Sequence, residues 1–180
     1  MPSPTIWSAG RYDAVGERIA HIAEELLDAA ARRRPLRQAA LVDLACGTGS
    51  AALAAAARGA AVTGVDLTPE LIDIARGRAG ADAITWRCAD ASATGLPDAQ
   101  FDAAVSNMGI IFVEPGAQVE ELARLLKPQG TLAFSAWMRD AENPLFDPVV
   151  AVLGAPAASS FSPDQWGDPD LVADFVDGET

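Results

Sequence analysis

The chain has 180 residues, 50% of them apolar, enough for one domain with a core of its own. A net charge of −12, from 25 acids against 13 bases, opposes binding to a polyanion and argues against nucleic acid as a partner. Two cysteines, Cys46 and Cys88, and one histidine, His21, cannot assemble a zinc site, so no metal is expected. Their spacing fits no redox motif, and both thiols are expected to be reduced and buried.

No apolar run approaches the roughly 18 residues of a membrane span, so no membrane partner is expected. The opening MPSPTIWSAGRYD lacks a basic segment followed by an apolar one, which makes a cytoplasmic location the default. The basic cluster RRRPLR, Arg32 to Arg37, reads as a charged helix end complementing the helix dipole. Nothing aromatic interleaves it, as a nucleic-acid face would require.

In chain order the elements alternate. Val15, Ile19, Ile22, Leu26 and Ala30 share one face and predict a helix over Tyr12 to Arg34, ended by Pro35. Ala40 to Ala45 has strand length. Ser50 to Arg58 is alanine-rich and helical, closed by Gly59. Ala60 to Asp66 carries β-branched Val62, Thr63 and Val65 and predicts a second strand. Thr68 and Pro69 predict the capped start of a helix bearing Leu71, Ile72 and Ala75.

Ala83 to Cys88 and Phe101 to Asn107 read as strands three and four, joined by the turn-rich ATGLPDAQ. Val119 to Leu126 predicts a helix, Lys127 to Gly130 a turn, and Thr131 to Trp137 a fifth strand. A helix-compatible patch follows around Pro144 to Leu153, and Asp168 caps a terminal helix running to Val176. Such alternation means an α/β fold, a mostly parallel sheet covered on both faces. Ligands in such folds bind beyond the carboxyl ends of the strands. Here those ends are Asp43 to Gly47, Asp66, Asp90 and Asn107, three of the four acidic.

The loop Gly47-Thr48-Gly49-Ser50-Ala51-Ala52 satisfies a loose dinucleotide fingerprint, in which glycines permit a tight turn and close approach of backbone to ligand. Alone it is a weak signal. Asp66, ending the next strand, can accept both hydroxyls of an adenosine ribose, for NAD and S-adenosylmethionine alike. The far end of the ligand separates the two. NAD brings a pyrophosphate, which wants helix-terminal amides and no carboxylate nearby. S-adenosylmethionine brings a sulfonium and an ammonium, which favour one. Asp43 supplies a carboxylate directly behind the loop, and a buried Asp calls for a cation or several donors. A carboxylate bonded to neighbouring backbone amides is the plainer alternative. Asp90 singly reads as a cap or turn residue; beside the others it can accept the exocyclic amine of adenine.

The stretches VDLACGTGSAALAAAARGAAVTGVDLTPELIDIAR, CADASATGLPDAQFDAAVSNMGIIFV and ELARLLKPQGTLAFSAW resemble the class I S-adenosylmethionine-dependent methyltransferases of the bacterial small-molecule type, those related to ubiquinone and menaquinone biosynthesis. The resemblance covers about Leu41 to Trp137 and, more loosely, the N-terminal WSAGRYDAVGERI. It implies a Rossmann-like, doubly wound sheet of about five strands in the order 3-2-1-4-5. It further implies that Asp43, Ala45, Cys46, Gly47 and Gly49 hold the methionine portion of S-adenosylmethionine (S-adenosylhomocysteine as product), that Asp66 binds the ribose and Asp90 the adenine, and that Leu67, Ala91 and Asn107 belong to the same cofactor-binding set. Asn107 and Met108 would face the methyl group and the acceptor, and Tyr12 would close over the cofactor. The expected organisation is one domain over residues 1–180: a helical lid (1–38), a cofactor-binding core (39–137) and a C-terminal substrate segment (138–180).

The family's two last strands are not found before Thr180. Either the chain is a truncated form or its sheet edge is finished another way. An open fifth strand predicts a homo-oligomer through that edge, or a poorly behaved monomer. The turn Pro128-Gln129-Gly130 replaces the family's Pro-Gly-Gly.

Methyl transfer from a sulfonium needs alignment more than acid–base machinery. His21 is therefore read as a solvated surface residue, opposite the apolar stripe of its helix. Asn107 lacks the Pro-Pro-Tyr that follows it in amide and adenine methylases, which favours a small, partly apolar acceptor with an oxygen, carbon or sulfur centre. Trp7, Trp137, Met138 and Phe112 could line its pocket, with core packing the ordinary expectation for Trp137 and Phe112. Two rivals stay open: a non-catalytic S-adenosylmethionine-binding or protein-interaction module, and an NAD-dependent oxidoreductase. The second is disfavoured because Tyr12 and Lys127, the single tyrosine and lysine, fall on different elements.

Overall fold

The computed structural model describes residues 20–138 and 162–177. The first described helix, α1 (Ala20–Arg33), carries Arg32 and Arg33 in its last turn, where they face the negative end of the helix dipole. Then follow β1 (Ala40–Leu44), α2 (Ser50–Ala57), β2 (Ala61–Asp66), α3 (Pro69–Arg76) and β3 (Ile84–Cys88). The chain continues through β4 (Phe101–Asn107), α4 (Pro115–Leu125), β5 (Leu126–Ser135) and α5 (Pro169–Asp177). The five strands form one parallel sheet in the order β3-β2-β1-β4-β5, as the resemblance implied. Tyr12, Trp7 and the helical patch at Pro144 to Leu153 lie outside the described residues.

Strand alternation sorts β1 into two faces. Leu41 joins Ala23, Leu26, Leu27 and Ala30 of α1 and Ala51, Ala52 and Ala55 of α2 in one core. Val42 and Leu44 join Phe101, Ile110, Leu122, Leu125 and Trp166 in the other. Each fully buried leucine contributes about 2–3 kcal/mol by leaving water. Small Ala51, Ala52 and Ala55 let α2 lie close against the sheet, which places its N-terminus at the end of β1. Asp43 points the same way as Leu41, beneath the first turn of α2.

Several expected boundaries move for identifiable reasons. Lys127–Gly130, expected as a turn before the fifth strand, is an excursion inside β5: Leu126 pairs with Phe101 and Thr131 with Ala103. Beside it Lys127 and Arg34 both reach Asp102, at 3.1 and 3.2 Å, while the Ala40 amide donates to the same carboxylate at 2.9 Å. β5 ends at Ser135, short of the expected Trp137. Trp137 is 61% exposed and Phe112 45% exposed, so neither packs in the core as expected. Cys88 is exposed rather than buried, and both cysteines are free. Among the described residues, β5 pairs with β4 on one side only, and no helix is long and apolar enough to cross a membrane.

Helix α4 begins earlier than Val119 because Glu114 caps it, its carboxylate accepting the Gly116 and Ala117 amides. One turn before the helix ends, buried Glu121 accepts the Thr94 amide at 2.8 Å, the Thr94 hydroxyl at 2.5 Å and two Arg124 nitrogens at 2.7 and 2.8 Å. Arg124 continues to the Leu96 carbonyl and to Asp98. These donors hold the Glu121 carboxyl down to about 2. A carboxylate with a depressed pKa stabilises the fold above its ordinary pKa and loses that contribution as pH falls through the folded value. Wild type is therefore expected to lose stability between about pH 4.5 and 2, and Glu121→Gln to shed that acid-sensitive part; parallel acid-unfolding curves for the two proteins would refute this.

Candidate functional site

The chain runs outward from β1 to β3 and then returns to β4, so strand order reverses between β1 and β4. The loops leaving those two strands part there, and such a point opens a crevice at the carboxyl ends of the strands. A cleft of about 360 Å³ occupies it. Its wall is built from Ala45 to Thr48 after β1, Asp66 to Thr68 after β2, Asp90 to Ser92 after β3, and Asn107 to Gly109 with Phe112 to Glu114 after β4.

The glycine loop is held in an unusual backbone shape. Ala45, Gly47 and Gly49 have φ of 52°, 55° and 82°, and Met108 across the cleft has 59°. Left-handed backbone at alanine and methionine costs about 1–3 kcal/mol each, and such strain concentrates at ligand sites. Tertiary contacts supply the compensation. The Trp86 ring lies against the loop and the sheet, so a Cβ on Gly49 would stand 2.5 Å, and one on Gly64 2.6 Å, from it. Arg78 donates to the Thr48 carbonyl at 2.9 Å. Asp66 Oδ2 accepts the Gly47 amide at 2.8 Å, and Oδ1 accepts the Thr68 amide at 2.9 Å. The Thr68 side chain also bonds to Asp66 and makes no hydrogen bond capping α3, as had been expected of it. Burial raises the Asp66 pKa against these donors.

Asp43 does not line the cleft. It is 1% exposed, one layer behind the loop, and neither of its oxygens has a hydrogen-bonding partner. The Ala52 amide in the first turn of α2 faces it without closing a bond and offsets burial only in part. Burial, with Asp66 adding repulsion, pushes its carboxyl up to about 8. Burial beside both acids also pushes the Cys46 thiol well above its ordinary range, so Cys46 is a neutral wall residue.

Asp90 makes the local turn expected of it singly, and it does so at the edge of the cleft. Its Oδ1 accepts the Ser92 amide and hydroxyl, each at 2.8 Å, in a local turn, while the residue stands on the cleft wall. Asn107 is oriented by Ser135, whose hydroxyl accepts the Met108 amide at 2.9 Å and donates to Asn107 Oδ1 at 2.9 Å. Asn107 Nδ2 makes no hydrogen bond to the described residues.

Of the expected residues, Ala45, Cys46, Gly47, Asp66, Leu67, Asp90, Ala91, Asn107 and Met108 meet at the cleft. Gly49 sits just behind, at the start of α2. His21 is exposed on α1 and takes no part in the wall. Phe112 does line the cleft. Sequence reasoning missed Ser92, Gly109 and Glu114. Gly109 had a signal, a glycine two residues past a strand end; Ser92 and Glu114 had none beyond polarity.

A model of the methyltransferase domain family matches residues 42–134, from inside β1 to the end of β5. This chain belongs to the methyltransferase domain family. The methyltransferase domain is 37% identical over 100 residues to demethylmenaquinone methyltransferase of Clavibacter sepedonicus, covering 54% of this chain and 41% of that protein. Among solved structures, an S-adenosylmethionine dependent methyltransferase from Mesorhizobium loti matches with a TM-score of 0.52 and 30% identity, over 58% of this chain and 48% of that one. Geranyl diphosphate C-methyltransferase from Streptomyces coelicolor shares the fold, with a TM-score of 0.63 and 22% identity over 88% of this chain and 56% of that one. The chain spans about half the length of the curated relatives it matches, 48% in the case of an uncharacterized Mycobacterium tuberculosis protein 34% identical over 135 residues, which covers 73% of this chain.

Proposed function

We propose that this methyltransferase domain binds S-adenosylmethionine in the cleft and moves its methyl group to a small-molecule acceptor. The observation that carries the reading is Asp43, a fully buried carboxylate with two unpartnered oxygens behind a glycine loop. A buried acid without donors is costly, and a cation brought to the loop would offset that cost. The wall agrees: among its described residues Asp66, Asp90 and Glu114 are acids and none is basic, which suits a sulfonium and an ammonium and opposes a pyrophosphate.

In this reading Asp66 accepts the ribose hydroxyls, Asp90 the adenine amine, and the Ala45–Gly49 loop receives the methionine end. S-adenosylmethionine, when bound, supplies a methyl group already activated on sulfur. The residues of the chain then bind, orient and exclude water. Asn107 offers its Nδ2 protons where strand β4 meets the cleft, and Met108, Phe112 and Val113 give that side an apolar lining that fits a partly apolar acceptor. Holding two reactants aligned can lower a barrier by roughly 7–11 kcal/mol without a catalytic base.

Calorimetry with S-adenosylmethionine, S-adenosylhomocysteine and NAD tests the reading. Both sulfur ligands are expected to bind and NAD is not; binding of NAD alone would end it. Tight sulfur-ligand binding with no turnover across a broad acceptor panel would assign the domain to binding without transfer.

A further inference from the structure

Gln118, in the first half of α4, is 0% exposed, a position where an apolar residue would serve packing equally well. Its Nε2 donates to the Ala91 carbonyl at 3.2 Å. Its Oε1 is buried with no partner. Because the partner atom is a carbonyl oxygen, the amide nitrogen must point at it. The side chain thus leaves one oxygen orphaned in the core while making a single bond, and such exceptions ask for a cause.

The cause lies in the peptide unit that Gln118 grips. Ala91 carbonyl and Ser92 amide belong to one planar group and point in opposite directions. Holding the carbonyl toward α4 therefore aims the Ser92 amide the other way, at Asp90 Oδ1, 2.8 Å distant. The Ser92 hydroxyl adds a second donor at 2.8 Å. Asp90 Oδ1 is thereby pinned, Oδ2 makes no hydrogen bond to the described residues, and the residue as a whole stands on the cleft wall. Thr94, farther along the same loop, is fastened to the same helix by Glu121.

We propose that Gln118 is a positioning residue for Asp90, setting the direction in which its carboxylate meets the base of the bound nucleoside. The inference rests on the reading that Asp90 accepts the adenine amine. It acts through Ala91 and Ser92 and touches no ligand itself.

Gln118→Met keeps volume and removes the donor. It eliminates one buried orphan, Oε1, and creates another, the Ala91 carbonyl, so folding stability is expected to change little. Binding should behave differently. The probe pair is S-adenosylhomocysteine and S-inosylhomocysteine, whose 6-oxo group cannot donate to Asp90. Wild type should prefer the adenosine form. Gln118→Met should bind S-adenosylhomocysteine roughly three- to tenfold more weakly and shrink the preference by a similar factor, the value of about one hydrogen bond. Gln118→Leu repeats the test with a branched side chain.

An unchanged preference, whether the melting temperature holds or falls, would overturn the inference, as would failure of both variants to fold, because either assigns Gln118 to core packing. Asp90→Asn is the control for the reading beneath it. If that variant keeps the full preference, the adenine assignment fails; if it loses the preference while Gln118→Met retains it, the Gln118 inference alone fails.

Discussion

Asp43→Asn is expected to raise the melting temperature of the ligand-free protein above neutral pH and to weaken S-adenosylmethionine binding about tenfold at pH 7. Burial holds the Asp43 carboxyl at about 8 against an ordinary 3.8, so the folded chain keeps a proton that the unfolded chain releases. That difference makes the Asp43 contribution to stability most favourable at or below about pH 4. It declines steadily as pH rises to about 8 and is level beyond. The asparagine variant lacks this decline. Asp66, raised in the same direction by its own burial, is present in both proteins, and its repulsion of Asp43 is part of the decline that the variant loses.

Binding runs the other way. A cation at the glycine loop favours the ionised carboxylate, so cofactor uptake should expel a proton and tighten as pH rises from 6 towards 8. A cation-induced fall of about two units in the Asp43 pKa corresponds to about a tenfold gain at pH 7. Calorimetry in buffers of different ionisation enthalpy measures the proton directly. Equal affinity and equal proton release in wild type and Asp43→Asn would make Asp43 a structural carboxylate, whose service is to the N-terminus of α2.

Gly109→Ala is expected to cost about 3 kcal/mol of stability and to abolish cofactor binding. A Cβ there would stand 2.3 Å from the Ala45 carbonyl oxygen and 2.7 Å from the Ala45 Cβ. The obstacle is largely backbone, so no side-chain rotation relieves it, and Ala45 already has a left-handed φ of 52°. The only relief is to separate the loops after β1 and β4, which dismantles the cleft. Gly47→Ala provides the contrast. It meets nothing within 4 Å and suffers only its φ of 55°, a strain of about 1–2 kcal/mol. Urea unfolding of the two variants should rank Gly109→Ala as the more damaging; the reverse order would show that the loops yield more easily than their contact suggests.

Much of the fold was legible because the signals are local. The apolar stripe of α1, the β-branched run of β2 and the Pro69 helix start each act over a few residues. The acidic strand ends were legible too, since a carboxylate ending an apolar run has few ordinary uses. What failed had distant causes. Lys127 to Gly130 leaves the ladder where Lys127 meets Asp102, and Arg34, just past α1, joins the same carboxylate. Phe112 and Trp137 read as core residues by type, yet both stand largely exposed, Phe112 at the cleft rim.

By itself the sequence determined the alternation of strands and helices, the glycine loop and the order in which acids arrive at the strand ends, because periodicity, turn chemistry and chain connectivity settle these within short stretches. Only the tertiary structure decided that Asp43 lies one layer behind the wall, that Gly109 touches Ala45, and that a glutamine on α4 holds the peptide next to Asp90. Each of these depends on which face of an element packs against another, and on how much water is left there. The residue types were visible in the chain. Their partners, and therefore their energies, were not.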